Sequence, residues 1–256
     1  MKKLMIPLML GVVCCMSSVF GADNSAEDMI ANLDGKIAWV KKQLLNSNYP
    51  SVNSSNVEGK TYTPKIEIAV IEIFDFNCPN SQETSGTIGS LIGNNYKPKL
   101  NYINVECIFL NEEYNVDSKY TADAGLSVYK GLGPKNYFEY WNTAWGVISE
   151  GPVTIDSIMV SLKRWKTDIY NYLSKTDYKT EENKKLISDT NSLSGQLGLL
   201  ATPSFIIIPI KDKISPDEVY IVHYQGSATD PVEATLTAVT NAVNALGGKK
   251  TEAKKI

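Results

Sequence analysis

Residues 65–82 read KIEIAVIEIFDFNCPNSQ, and most of the fold can be worked outward from them. The opening KIEIAVIEIFDF is rich in Ile, Val and Phe over a strand's length, which predicts a buried strand. The following SQETSGTIGSLIGNNY predicts a helix weakened by its glycines. Between the two, Cys78 stands at a strand-to-helix turn with Pro79 beside it. Residues 99–110, KLNYINVECIFL, predict a second strand. A strand, a helix and a strand within about 45 residues make one right-handed βαβ unit with parallel strands.

Beyond this unit the texture changes. From 112 to 198 the chain is helical in pattern and aromatic, as in NYFEYWNTAWGVI (136–148) and TIDSIMVSLKRWKTDIYNYLSK (154–175). No stretch of it carries a strand signal. TPSFIIIP (202–209) and VYIVHYQG (219–226) then predict two closely connected strands, and DPVEATLTAVTNAVNAL (230–246) a closing helix. The predicted class is α/β, with order βαβ, helical block, ββα. Residues 65–111 and 199–246 would form the sheet domain, 112–198 a helical insertion and 247–256 a frayed tail.

The beginning of the chain has its own logic. MKK is positive, LMIPLMLGVVCCMSSVF is apolar, and small residues follow near Gly21 and Ala22. That is the pattern of a secretory signal over residues 1–21, and it points to the periplasm, with attachment at the outer membrane or cell surface left open. A lipoprotein reading through Cys14 or Cys15 is disfavoured by Val13, where lipid attachment wants a small residue. No later run is long and apolar enough to span a bilayer. Residues 22–46 predict an amphipathic helix with Met29, Ile30, Leu33, Ile37, Val40 and Leu44 on one stripe. That stripe must pack on its own domain or pair with a second copy through residues 26–45. Residues 47–64 are polar, with Pro, Gly, Ser and Asn, and read as a linker.

Charge and cysteine usage narrow the chemistry. Residues 1–21 hold two lysines and no acid, so removing them takes the formal net charge from −3 to −5. A mildly acidic chain with scattered lysines gives no support for nucleic-acid binding. Without the leader only Cys78 and Cys107 remain, so the core and not a disulfide framework must hold the fold. With one histidine, His223, and no cluster of ligands, no metal site is expected, and no cofactor is implied. His223 lies in a predicted strand, and no oxyanion-hole pattern accompanies Cys78, which argues against a Cys–His hydrolase.

Three motifs in order now carry a resemblance. VIEIFDFNCP (70–79), YFEYWNTAW (137–145) and LGLLATPSFIII (197–208) are similar to the signatures of the periplasmic DsbA-like thiol–disulfide oxidoreductases, over nearly all of the chain after residue 60. The resemblance implies a thioredoxin-like fold with an inserted helical domain. It implies a cis Thr202–Pro203 bond facing the cysteine, with Thr202 pairing to an extended client. It also gives Glu72, an acid within an apolar strand, the task of moving protons near the thiol; burial there is costly unless the group is partnered or protonated. A cysteine at a helix N-terminus meets unpaired N–H groups and the positive end of the dipole, which stabilise a thiolate. Pro79 suits the first helical turn, and Pro79 and Asn80 would border the client.

The departures from the family pattern matter as much. Ser81 stands where a second cysteine would resolve a mixed disulfide. A serine hydroxyl can donate to the Cys78 thiolate, but it cannot displace a sulfur. Asn80 is neutral, and Trp141 occupies a place where the family often carries His. Alternation along the second strand sets Cys107 beside Ile103, Val105 and Phe109, as a core residue. The first reading is a monothiol exchange protein, with exported cysteine-containing clients and an external thiol as redox partner. A chaperone-like binding module is the second, and the third is a dithiol enzyme in which Ser81 replaces the natural cysteine.

Overall fold

The computed structural model describes residues 51–53, 68–86, 100–106, 115–147, 153–199, 201–211 and 214–247. The expected leader at 1–21, the helix at 26–45, Cys107 and the tail beyond Gly247 lie outside these residues.

The strand expected from KIEIAVIEIFDF is the middle of the sheet. Strands β1 (Ser51–Asn53), β2 (Ile68–Phe74), β3 (Leu100–Glu106), β4 (Ser204–Pro209) and β5 (Tyr220–His223) lie in the order β1-β3-β2-β4-β5. β2 pairs parallel with β3 and antiparallel with β4, and β4 pairs antiparallel with β5. Every residue of β2 is buried, the signature of a strand covered on both faces. β1 is a correction to the linker expected at 47–64: Ser51–Asn53 lie antiparallel to Ile103–Asn101 at the edge of the sheet.

Alternation sorts the sheet residues between two helical layers. Ala69, Ile71 and Ile73 of β2, with Ile206 and Ile208 of β4, meet Ala122 and Leu126 of helix α2 (Asn115–Leu132) and Leu186 and Ile187 of helix α6 (Glu181–Gln196). Ile68, Val70, Phe205 and Ile207 on the other face meet Leu236, Val239 and Val243 of the closing helix α7 (Pro231–Ala245). Helix α1, described over residues 79–86, leaves β2 through the cysteine turn. Burial of each such Ile, Val or Leu stabilises by roughly 1.5–3 kcal/mol.

The helical insertion has its own core. Helices α3 (Pro134–Val147), α4 (Ile155–Trp165) and α5 (Thr167–Leu173) pack with α2 around Tyr137, Tyr140, Trp141, Ile158, Leu162 and Ile169. Phe74 and Phe76 reach into this cluster from the end of β2. Its rings meet mostly edge to face, as Phe76 does with Tyr140 at 6.1 Å and Trp141 with Trp145 at 5.7 Å. Gly131 lets α5 approach α2: a Cβ there would sit 2.1 Å from Tyr172 Oη, which donates to the Ser127 carbonyl. α4 starts with a reciprocal cap, Thr154 and Ser157 each bonding the other's backbone N–H.

Candidate active site

The turn that carries Cys78 is built by its neighbours. Asp75 Oδ1 accepts the Asn77 N–H at 2.7 Å, and the Asp75 carbonyl accepts the Cys78 N–H at 3.0 Å. The Asp side chain thus mimics a backbone turn as the strand ends. The Cys78 carbonyl accepts the Gln82 N–H at 3.2 Å, the first bond of α1, and Pro79 follows as the first helical residue. Cys78 is therefore the N-cap of α1, at the end where the first-turn N–H groups have no intrahelical partner.

Cys78 is a half-buried free thiol whose Sγ–H donates to the Thr202 carbonyl at 3.3 Å. The Thr202–Pro203 peptide bond is cis, and both residues are buried. The strand that follows fixes this loop: Ser204 pairs with His223 in the ladder, and its Oγ lies 3.4 Å from His223 Nδ1. Pro79 and Asn80 are exposed on the outer side of the turn. Tyr224, next after β5, lies near enough to Cys78, Glu83 and Asp230 for their charge to act on it. Its phenol is pushed up, first by burial and then by those negative groups.

Ser81 is fully buried, and its Oγ accepts the Asp75 N–H at 3.5 Å. Among the described residues that is its hydrogen bond, and none joins it to Cys78 Sγ. The bond uses a lone pair of Oγ and leaves the O–H as a donor. Glu72 lies on the α1 and α7 side of β2 with no exposed surface, and Ser85 of α1 donates to its Oε1. Burial pushes the carboxyl up to about 8, against the smaller opposing effect of that hydroxyl. Glu72 is therefore mostly protonated at neutral pH and can hold or release a proton within the buried floor beneath α1.

Cys78, Thr202 and Pro203 come together at one point. Ser81 lies behind the turn, and Glu72 is joined to α1 through Ser85. Sequence reasoning missed the residues that hold the turn. Asn77 Nδ2 donates to Ser118 Oγ and to the Val153 carbonyl, each at 3.1 Å, while its Oδ1 accepts the Val153 N–H at 2.8 Å. Ser118 Oγ in turn donates to Asp75 Oδ1 at 2.7 Å. The Asp75 carboxyl is raised by burial, which outweighs the lowering by Asn77 N–H and Ser118. The Asp-x-Asn spacing after a strand was a readable signal for the local turn; nothing local marks Ser118 or Val153. Among the described residues no three Cys, His, Asp or Glu side chains group as metal ligands. No helix there is long and apolar enough to cross a membrane.

No family model and no curated protein sequence matches this chain. Solved structures do. BcfH of Salmonella enterica Typhimurium superposes with a TM-score of 0.57 at 17% identity, over 81% of this chain and 79% of that one. The catalytic domain of Proteus mirabilis ScsC gives 0.56 at 18%, over 82% and 98%. The thiol-disulfide exchange protein alpha-DsbA2 from Wolbachia pipientis gives 0.56 at 21%, over 87% and 99%. The fold is thus the thioredoxin-like fold with a helical insertion found in DsbA and ScsC structures, as the sequence motifs implied.

Proposed function

We propose that this protein carries out thiol–disulfide exchange through the single active-site cysteine Cys78. The observation that carries the reading is the placing of Cys78 Sγ. It caps α1 and lies 3.3 Å from the Thr202 carbonyl at the start of β4, so a thiolate there faces a client held along that loop. The chain's likeness in fold to a thiol-disulfide exchange protein supports it.

The chemistry balances with one protein sulfur. The Cys78 thiolate attacks one sulfur of a client disulfide; a Cys78–client bond forms as the client bond breaks, and the displaced client sulfur leaves as a thiolate. An external thiolate then attacks the client sulfur of this adduct. It forms a new disulfide with the client and returns Cys78 as a thiolate. Where the client's own thiolate makes the second attack, the result is isomerisation without net redox change. Ser81 carries no sulfur, so the resolving step comes from outside. Its O–H, left free by the bond from Asp75 N–H, would have to reach round the turn to donate to the Cys78 thiolate, and protonated Glu72 is the proton store beneath. Pro79, Asn80, Thr202 and Pro203 border the client. The clients are cysteine-containing proteins in the periplasm, the compartment to which residues 1–21 point.

The test is to mix the protein, and a Cys78→Ala variant, with a disulfide-bonded peptide and weigh the intact products. We expect a peptide adduct, released by a reducing thiol, on the unaltered chain and none on the variant. A folded, unaltered chain that forms no adduct at Cys78 overturns the exchange reading. Suppression of client aggregation that survives Cys78→Ala would then leave a binding module on this fold.

A further inference from the structure

The side chain of Asn77 does something unusual for a residue in a four-residue turn: it pairs with a peptide group 76 residues away. Its amide carbonyl accepts from Val153 N–H and its amide nitrogen donates to Val153 C=O, so the side chain takes the place of a strand neighbour. This fixes the orientation of the amide, because Nδ2 must face the carbonyl and Oδ1 the N–H. The second Nδ2 hydrogen goes to Ser118 Oγ, whose own hydrogen goes to Asp75 Oδ1, which also accepts Asn77 N–H. The bonds form a ring that starts twice from Asn77 and converges on Asp75 Oδ1; along the Asn77–Ser118–Asp75 arm each bond polarises the next.

Three parts of the molecule meet in that ring. Asp75 directly follows β2, Ser118 is in the first turn of α2, and Val153 is the buried residue before Thr154, the N-cap of α4. Cys78 follows Asn77 directly, and its thiol is aimed at the Thr202 carbonyl. Small errors in aim weaken that contact, since hydrogen bonds fall off steeply with angle.

We propose that Asn77 is a positioning residue for Cys78: it clamps the thiol turn to the helical insertion, and so makes the seating of α4 part of what sets the thiol's reactivity. The proposal deepens the exchange reading and rests on Cys78 being the reacting group. It needs no client to test. Displacing α4 carries Val153 with it and releases the amide, so the insertion acts on the thiol without touching it.

The experiment is alkylation of Cys78 by iodoacetamide across a pH series, followed on the Cys78 peptide by mass spectrometry, using the full-length chain. For Asn77→Ala we expect the alkylation rate at neutral pH to change on the order of tenfold, with the rate–pH profile changed along with it. Far-ultraviolet circular dichroism should be unchanged. Ser118→Ala, which cuts the ring but keeps the Val153 pairing, should move the profile the same way and less far. A folded Asn77→Ala with the unaltered rate and profile overturns the proposal, even if its melting temperature falls. Should Asn77→Ala not fold, an unchanged profile in Ser118→Ala overturns it instead. A missing peptide-disulfide adduct would sink the exchange reading and leave this measurement standing, so the two fail separately.

Discussion

Among the described residues two carboxyls lie wholly buried, Glu72 in the floor of the sheet and Asp123 in the seam between α2 and α6. They have been treated differently. Glu72 has a hydroxyl donor, Ser85, and is pushed up to about 8. Both oxygens of Asp123 are without a hydrogen-bond partner among the described residues, yet it is raised only to about 6. Burial raises it first; Lys119, Lys184 and Lys179 pull it back, and Asp177 adds a smaller push up. Glu72 is the more deeply enclosed of the two, so burial pushes it further and one hydroxyl offsets little of that, while at Asp123 a lesser burial is met by three lysines. The sheet floor offers Glu72 a hydroxyl but no cation, whereas the seam lies close to a lysine-bearing surface.

The contrast sets a pH dependence of known sign. In each case the folded value lies above the unfolded one, so the folded chain holds the proton more tightly. Stability is then full at acid pH and declines as pH rises, from about 4.5 to about 8 for Glu72 and from 3.8 to about 6 for Asp123.

The strongest way to break the comparison is Glu72→Gln, which keeps an acceptor for Ser85 and cannot ionise. Urea unfolding at pH 5 and pH 8 should differ by a few kcal/mol in the unaltered chain and by much less in the variant. An unchanged difference would mean that Glu72 does not titrate as a buried group. Asp123→Asn should have the smaller effect, stabilising by about 2 kcal/mol at pH 7 and leaving the slope above pH 7 intact. The finest test is Lys119→Met. By removing the first of the cations it should move the Asp123 midpoint upward by about half a pH unit, read by carbon-13 titration of the carboxyl. A midpoint that stays put would assign the lowering to Lys184 and Lys179.

The same pair marks where the sequence could be read and where it could not. Glu72 stands out because it interrupts an Ile- and Val-rich run, and a charge there demands a reason. Asp123 sits in TADAGLSVYKGL, where a polar residue on a helix looks like a solvated one, and only the packing of Asn183 and its neighbours buries it. Asn183 Nδ2 donates to the Asp123 carbonyl and to Ser127 Oγ, contacts that span 60 and 56 residues. The cysteine turn was legible for a local reason: Cys-Pro after a strand fixes an N-cap. Its clamp was not, because Val153 and Ser118 are ordinary residues until the fold brings them to Asn77. The order of strands and helices followed from periodicity. Ser51–Asn53 carries no such pattern, and its place in the sheet comes from the edge that β3 offers.

The bond from the thiol to the Thr202 carbonyl has a consequence for timing. That carbonyl holds the sulfhydryl hydrogen only while Cys78 is reduced and protonated. In the proposed exchange, loss of the proton or capture of a client sulfur takes the donor away and leaves a backbone acceptor open beside the new bond. An amide hydrogen of an extended client is the natural replacement. The protein would then grip its client most firmly while the two are covalently joined, and the returning sulfhydryl would compete the client away once the bond is broken. One oxygen would thus serve as both latch and release.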